Sequence, residues 1–289
     1  MSASHSLGAR LGSVQLDARE ERLLLGLGRG LIRSRWRAVT RLLLYFGLTA
    51  GLLPVQATAV ALGWRLAERL PQFYHRLCVR IMGFNVVIRG QRLRERPVLF
   101  VCNHISYLDI TVLGAVIPGC FVAKSEVSSW PLFGVLAKLQ RSVFIRRKRA
   151  DVARHGNELV DRMAAGDNLI LFPEGTSGDG TRVLPFRSGL LAAAEVPLGG
   201  EPVKVQPVSI AYTRLNGIPL GRGLRPFFAW YGDMDLAPHL WTVASLGQLT
   251  VVVECHPPIT VENAGSRKEL ARRCHESIAQ GLARANAGR

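Results

Sequence analysis

Val98-Leu99-Phe100-Val101-Cys102-Asn103-His104-Ile105-Ser106-Tyr107-Leu108-Asp109 reads as a strand that runs into a loop and then into the start of a helix. Five apolar residues in a row suit a strand buried on both faces, as in a parallel sheet. The pattern repeats along the chain. Short apolar runs at 86–88, 120–123, 143–145, 169–172, 205–211 and 249–254 read as further strands, and 109–116, 130–139 and 150–165 read as helices between them. Strands alternating with helices imply an α/β fold with a central mixed, largely parallel sheet flanked by helices. Leu270, Cys274, Ile278 and Leu282 recur every four residues, so an amphipathic helix docks on that sheet near the C-terminus.

His104 and Asp109 are five apart, a spacing that points the two side chains away from each other on one continuous helix. They pair only if the chain breaks between them, with His104 in the loop at the sheet's carboxyl edge and Asp109 at the start of the next helix. An aspartate there is favoured by the helix dipole and stays ionised. It accepts a hydrogen bond from one imidazole nitrogen and leaves the other as a base for a hydroxyl. This is the base and its orienting group without a protein nucleophile, and no GxSxG elbow occurs, so the nucleophile belongs to the substrate. A histidine merely hydrogen-bonded at a strand end is the plainer alternative. A metal ligand fits less well, with no second histidine nearby and no HExxH.

Downstream, Pro173-Glu174-Gly175-Thr176-Ser177-Gly178-Asp179-Gly180 follows another buried strand. A turn so rich in glycine and hydroxyls offers backbone N–H groups to an anion or an oxyanion. Glu174 suits polyol hydroxyls or a basic partner, although an ordinary strand-to-loop turn has the same composition. Arg141, Arg146, Arg147, Lys148 and Arg149 border the strand 143–145 and suit a phosphate, or an anionic lipid surface.

Composition narrows the partners. A formal charge of +16 on 289 residues calls for an anionic one: nucleic acid, a phospholipid surface or a phosphorylated substrate. No nucleic-acid-binding signature accompanies it, which disfavours nucleic acid. The five cysteines (Cys78, Cys102, Cys120, Cys255, Cys274) are scattered, with no CxxC pair, which fits neither a disulfide framework nor a structural zinc site.

Residues 42–64 carry no charge, and their 23 positions are enough to cross a bilayer. Pro54 and Gln56 sit inside that stretch, and arginines flank both ends, where a single crossing normally shows a lysine/arginine asymmetry. A bent hairpin or two interfacial half-helices fit this better, and a buried core helix remains an alternative. The expected layout is a basic arm over 1–36, a membrane-associated helical segment over 37–70, and a catalytic domain over 71–289.

The blocks NHISYLD, FIRR, FPEGT and VQPVSI, in that order, resemble the lysophosphatidic acid acyltransferase family of membrane glycerolipid acyltransferases, over about residues 70 to 260. The resemblance implies acyl transfer from acyl-CoA or acyl carrier protein to a free lysolipid hydroxyl, with no cofactor, at the cytoplasmic face of a bacterial membrane. It casts His104 as general base and Asp109 as its partner. Arg147 matches a phosphate-contacting arginine; Glu174, Gly175 and Thr176 match the third block, and Pro207 lies in the fourth.

Two departures stand out. Arg146 replaces a common acidic residue, and Ser177 replaces a common arginine, so Arg182 or Arg187 would take over phosphate contact. Trp230-Tyr231-Gly232-Asp233-Met234-Asp235 is loosely similar to a bacterial subgroup that includes enzymes acylating lyso-ornithine lipid. The leading expectation is acylation of the sn-2 hydroxyl of 1-acylglycerol-3-phosphate. Lyso-ornithine lipid or another lysophospholipid is the alternative acceptor, and a non-catalytic membrane-binding module is the alternative of another class.

Overall fold

The computed structural model describes residues 33–130, 132–145 and 152–288. Its strands are β1 (Phe84–Arg89), β2 (Val98–Cys102), β3 (Cys120–Lys124), β4 (Val143–Ile145), β5 (Leu169–Leu171), β6 (Lys204–Leu215), β7 (Ile218–Pro219) and β8 (Leu249–Cys255). The helices are α1 (Arg35–Ala61), α2 (Leu66–Met82), α3 (Leu108–Val116), α4 (Phe133–Leu139), α5 (Val152–Ala164), α6 (Leu236–Ser245), α7 (Val261–Ala264) and α8 (Arg267–Asn286). The strands form one sheet in the order β1-β8-β6-β2-β5-β3-β4, with β7 on β6. β6, β2, β5, β3 and β4 run parallel; β8 is antiparallel to β6 and parallel to β1. This is the mixed, largely parallel sheet that the apolar runs imply.

β2 lies between β5 and β6, and all five of its residues are fully buried. Alternation then sorts its side chains. Val98, Phe100 and Cys102 join a core shared with α2, α3 and α6; Leu99 and Val101 join another beneath α5 and α8. Because β2 is central and parallel to its neighbours, the loop after it opens at the sheet's carboxyl edge, where α/β proteins place ligands.

The membrane segment differs from expectation in where it turns. α1 continues through Pro54 to Ala61, and the chain reverses afterwards, at Gly63 (φ 63°), into α2. A proline deletes one hydrogen bond of the helical ladder, and the Ala- and Leu-rich turns around it keep the helix going. α1 and α2 thus form a two-helix motif, and the boundary expected at 70/71 falls inside α2.

α1 is long and apolar enough to cross a membrane, with only 11% of its apolar window buried. Yet both of its ends are fastened to the α/β unit. At its start, Ser34 N donates to Ser245 O (2.9 Å) and Arg41 Nη1 to Leu246 O (2.7 Å). Near its end, Gln56 Nε2 donates to Leu139 O (2.6 Å) and to Ala67 O (3.0 Å). Leu43, Leu44 and Phe46 point outward.

α8 packs across β6 as the four-residue period requires, burying Leu270, Cys274, Ile278 and Leu282. The approach is close at Gly281, where a Cβ would stand 2.3 Å from Ser209 Oγ and 2.6 Å from the His256 ring. Gly281→Ala gains about 1 kcal/mol of helix propensity and loses more to overpacking, about 1–3 kcal/mol. The expected outcome is a lower melting temperature in detergent; a raised one would show that the contact relaxes freely.

Candidate active site

β2 ends at Cys102, and Asn103 extends its pairing by one step. Asn103 Nδ2 donates to Ile210 O (3.0 Å) and Asn103 Oδ1 accepts from Ile210 N (2.8 Å), so the side-chain amide mimics a strand partner on β6. The chain then turns through His104–Tyr107, and Asp109 falls in the first turn of α3. The break between His104 and Asp109 brings the two side chains together: Asp109 Oδ2 accepts from His104 Nδ1 (2.8 Å).

The same oxygen accepts from Ile105 N (2.6 Å) and Ser106 N (2.9 Å), and Oδ1 accepts from the Tyr212 hydroxyl (2.6 Å). Asp109 is completely buried, so these four donors replace water. A carboxylate on Nδ1 fixes the proton there and leaves Nε2 with its lone pair. The imidazole is 22% exposed and stacks on Phe172 at 4.2 Å between ring centres. A partly open imidazole, held by one face and one nitrogen, is suited to taking a proton from a hydroxyl.

Glu174 faces backbone amides. Its Oε1 accepts from His104 N (2.8 Å) and its Oε2 from Leu184 N (3.0 Å), and the residue is only 4% exposed. Both oxygens are taken up by backbone, which tethers the histidine loop to the loop that returns after β5. Burial pushes its carboxyl up to about 7, against the two amide hydrogen bonds. Gly175 has φ 75°, and its N–H donates to Phe172 O (3.1 Å), so that amide is engaged inside the turn.

Thr176, Arg182 and Arg187 lie exposed on the same segment, and Arg187 N donates to Pro173 O (2.9 Å). Arg146 and Arg147 lie outside the described residues. Ser177, where arginine was expected, donates its hydroxyl to Trp230 O (2.5 Å). Trp230 N in turn donates to Ile105 O (3.0 Å), and Gly178 N donates to His104 O (2.9 Å). Three loops are laced together around His104.

Sequence reasoning missed Phe172 as the ring under His104, and Tyr212. It also missed the cluster in which Trp230 meets Tyr107 and Trp130 edge-on and Tyr107 OH bonds His239 Nδ1 (3.0 Å). A signal existed for Tyr212: two positions beyond Ile210 on the same strand, it is the polar-tipped member of an apolar face.

Comparison with known proteins agrees with this geometry. The Acyltransferase family model matches residues 84–211. A lyso-ornithine lipid O-acyltransferase from Brucella abortus (strain 2308) is 42% identical over 248 residues, 84% of this chain and 92% of that protein. A 1-acyl-sn-glycerol-3-phosphate acyltransferase from Neisseria gonorrhoeae is 32% identical over 65% of this chain and 71% of that protein. The chain belongs to the lysophosphatidic acid acyltransferase family.

This family member is therefore an enzyme, a lysolipid acyltransferase, and not a non-catalytic membrane-binding module. The fold agrees. The 1-acyl-sn-glycerophosphate acyltransferase structure from Thermotoga maritima superposes with a TM-score of 0.58 at 24% identity, over 87% of this chain and 98% of that one. The long apolar α1 suits association with a membrane.

Glu174→Gln tests the tether. One acceptor oxygen becomes an NH2 facing a backbone N–H, so the loops lose about 1–3 kcal/mol. The folded state binds this proton more tightly than the unfolded chain, whose carboxyl titrates near 4.5. The stability it contributes is present below that value and is lost as pH rises through about 7. Thermal unfolding at pH 5 and pH 8 should show a lower melting temperature in the variant and a smaller drop between the two pH values. Equal melting temperatures at both would remove Glu174 from this role.

Proposed function

We propose that this acyltransferase moves a fatty acyl group from a thioester donor, acyl-CoA or acyl carrier protein, to the hydroxyl of lyso-ornithine lipid. The observation that carries the acceptor is the extent of likeness. The Brucella abortus lyso-ornithine lipid O-acyltransferase matches 84% of the chain at 42% identity, against 65% at 32% for the Neisseria gonorrhoeae phosphate-acceptor enzyme. Ser177 supports the same reading, because the position where related enzymes commonly carry arginine holds a hydroxyl bound to Trp230 O.

In this mechanism His104 Nε2 removes the proton from the acceptor hydroxyl while Asp109 holds Nδ1–H and stabilises the imidazolium. The alkoxide attacks the thioester carbonyl. Collapse of the tetrahedral intermediate breaks the C–S bond, and His104 returns its proton to the departing thiolate. No acyl-enzyme forms. Arg182 and Arg187, exposed beside the site, face the acidic donor or headgroup in this reading, and by sequence Arg146 and Arg147 are further candidates for that contact. A second reading keeps every step and makes the acceptor 1-acylglycerol-3-phosphate, yielding phosphatidic acid; the Neisseria gonorrhoeae relative favours it.

His104→Ala should lower turnover by about 10²–10⁴-fold, read as label transferred from radioactive acyl-CoA and acyl carrier protein with the two acceptors offered side by side. His104-dependent labelling of lyso-ornithine lipid is expected. Labelling of lysophosphatidic acid alone would reverse the acceptor, and undiminished turnover in the variant would remove the base.

The proposed position is the cytoplasmic face of the membrane, with α1 lying in one leaflet. A helix fastened to the same α/β unit at both ends has no free end to carry across. Arg35 and Arg65, both exposed, flank α1 and its turn. Single cysteines at Arg35 and at Arg65 should both react with an impermeant maleimide added from the cytoplasmic side; reaction of only one would indicate a crossing.

A further inference from the structure

We infer that Tyr212 is a positioning residue for acyl transfer, acting through Asp109 to set the basicity of His104. This rests on the general-base reading of His104 given above. Tyr212 is on β6, the strand beside β2, and its hydroxyl is the donor to Asp109 Oδ1 at 2.6 Å. The ring is 3% exposed and stacks near Phe228 at 6.2 Å between centres, which fixes its direction. The β6–β8 register shifts between Tyr212 and Arg214, and such bulges re-aim side chains beside active sites.

The two carboxylate oxygens of Asp109 are held by different kinds of partner. Oδ2 takes the imidazole and two amides of its own loop; Oδ1 takes a hydroxyl from another strand. The phenol therefore draws negative charge away from the side that faces the imidazole. Burial, and then the Asp109 charge, push the Tyr212 phenol well above its ordinary value, so it remains an O–H donor through the working pH range. Cys102 on β2, Tyr107 at the start of α3 and Glu174 in the loop after β5 are the other titratable groups of this neighbourhood. Burial pushes the Cys102 thiol and the Tyr107 phenol up as well, so both stay neutral. Burial raises the Glu174 carboxyl to about 7, so a pH–rate profile alone would include its proton.

The sign follows from the charge. Without the phenol hydrogen bond, Asp109 concentrates more charge on Oδ2, the His104 imidazolium becomes more stable, and His104 holds its proton to higher pH. A more acidic phenol should act in the opposite direction.

The experiment follows the His104 Cε1–H resonance by NMR against pH in the full chain in detergent, identified by its absence in His104→Ala, alongside kcat/KM. Tyr212→Phe keeps the ring and is expected to raise the His104 midpoint by about half to one unit, a three- to tenfold loss of kcat/KM on the acid side. Little change is expected at alkaline pH. Site-specific 3-fluorotyrosine at 212, which keeps both ring and hydroxyl, should lower the midpoint. It carries the test if Tyr212→Phe does not fold. A midpoint that stays put in the fluorinated protein, or that moves the same way in both, would reduce Tyr212 to packing and overturn the proposal.

Discussion

A carboxylate with no access to water has to be surrounded by donors, and Asp109 is such a group. Breaking a buried, hydrogen-bonded charge by removing one partner costs about 3–5 kcal/mol, so the donors constrain the backbone that carries them. Two come from the amides of Ile105 and Ser106, which bends the chain tightly between β2 and α3. One comes from β6 through Tyr212, which ties the loop to the neighbouring strand. The last is His104 itself. The histidine's orientation is thus a consequence of satisfying Asp109, and the helix dipole of α3 adds to the same effect.

Glu174 repeats the device at the other side of the loop. Its two oxygens join the His104 amide to the Leu184 amide, and Ser177 and Trp230 add a third strap. Two buried carboxylates at the carboxyl edge of one sheet thus do different work. Asp109 touches the His104 ring; Glu174 holds the backbone that carries it. This division explains how a site assembled from loops can hold the sub-ångström geometry that proton transfer demands.

Much of this was legible in the chain. β2 and β4 have the bounds their apolar runs suggest, and α8 buries the four residues whose spacing announced it. The His104–Asp109 pairing followed from the impossibility of meeting on one helix. What escaped notice depends on contacts between distant segments. Tyr212 is 103 residues from Asp109, and nothing local marks it as a donor to that carboxylate. The tether made by Glu174 was equally hidden, because its partners are the amides of residues distant in sequence. Pro54 misled as a breaker because one missing hydrogen bond is a small cost inside a long apolar helix. The α6 helix, which packs on α1, was not read from the sequence, because Pro238 and His239 sit inside it.

The enzyme's two-helix motif covers one side of the α/β unit with an apolar, outward-facing surface, while the His104 loop opens at the sheet edge. The decisive point is which atom faces the acceptor. A crystal structure with lyso-ornithine lipid bound should place the acceptor hydroxyl within hydrogen-bond reach of His104 Nε2, with Nδ1 still on Asp109. A hydroxyl bound away from that nitrogen, with the lipid otherwise ordered in the site, would contradict it.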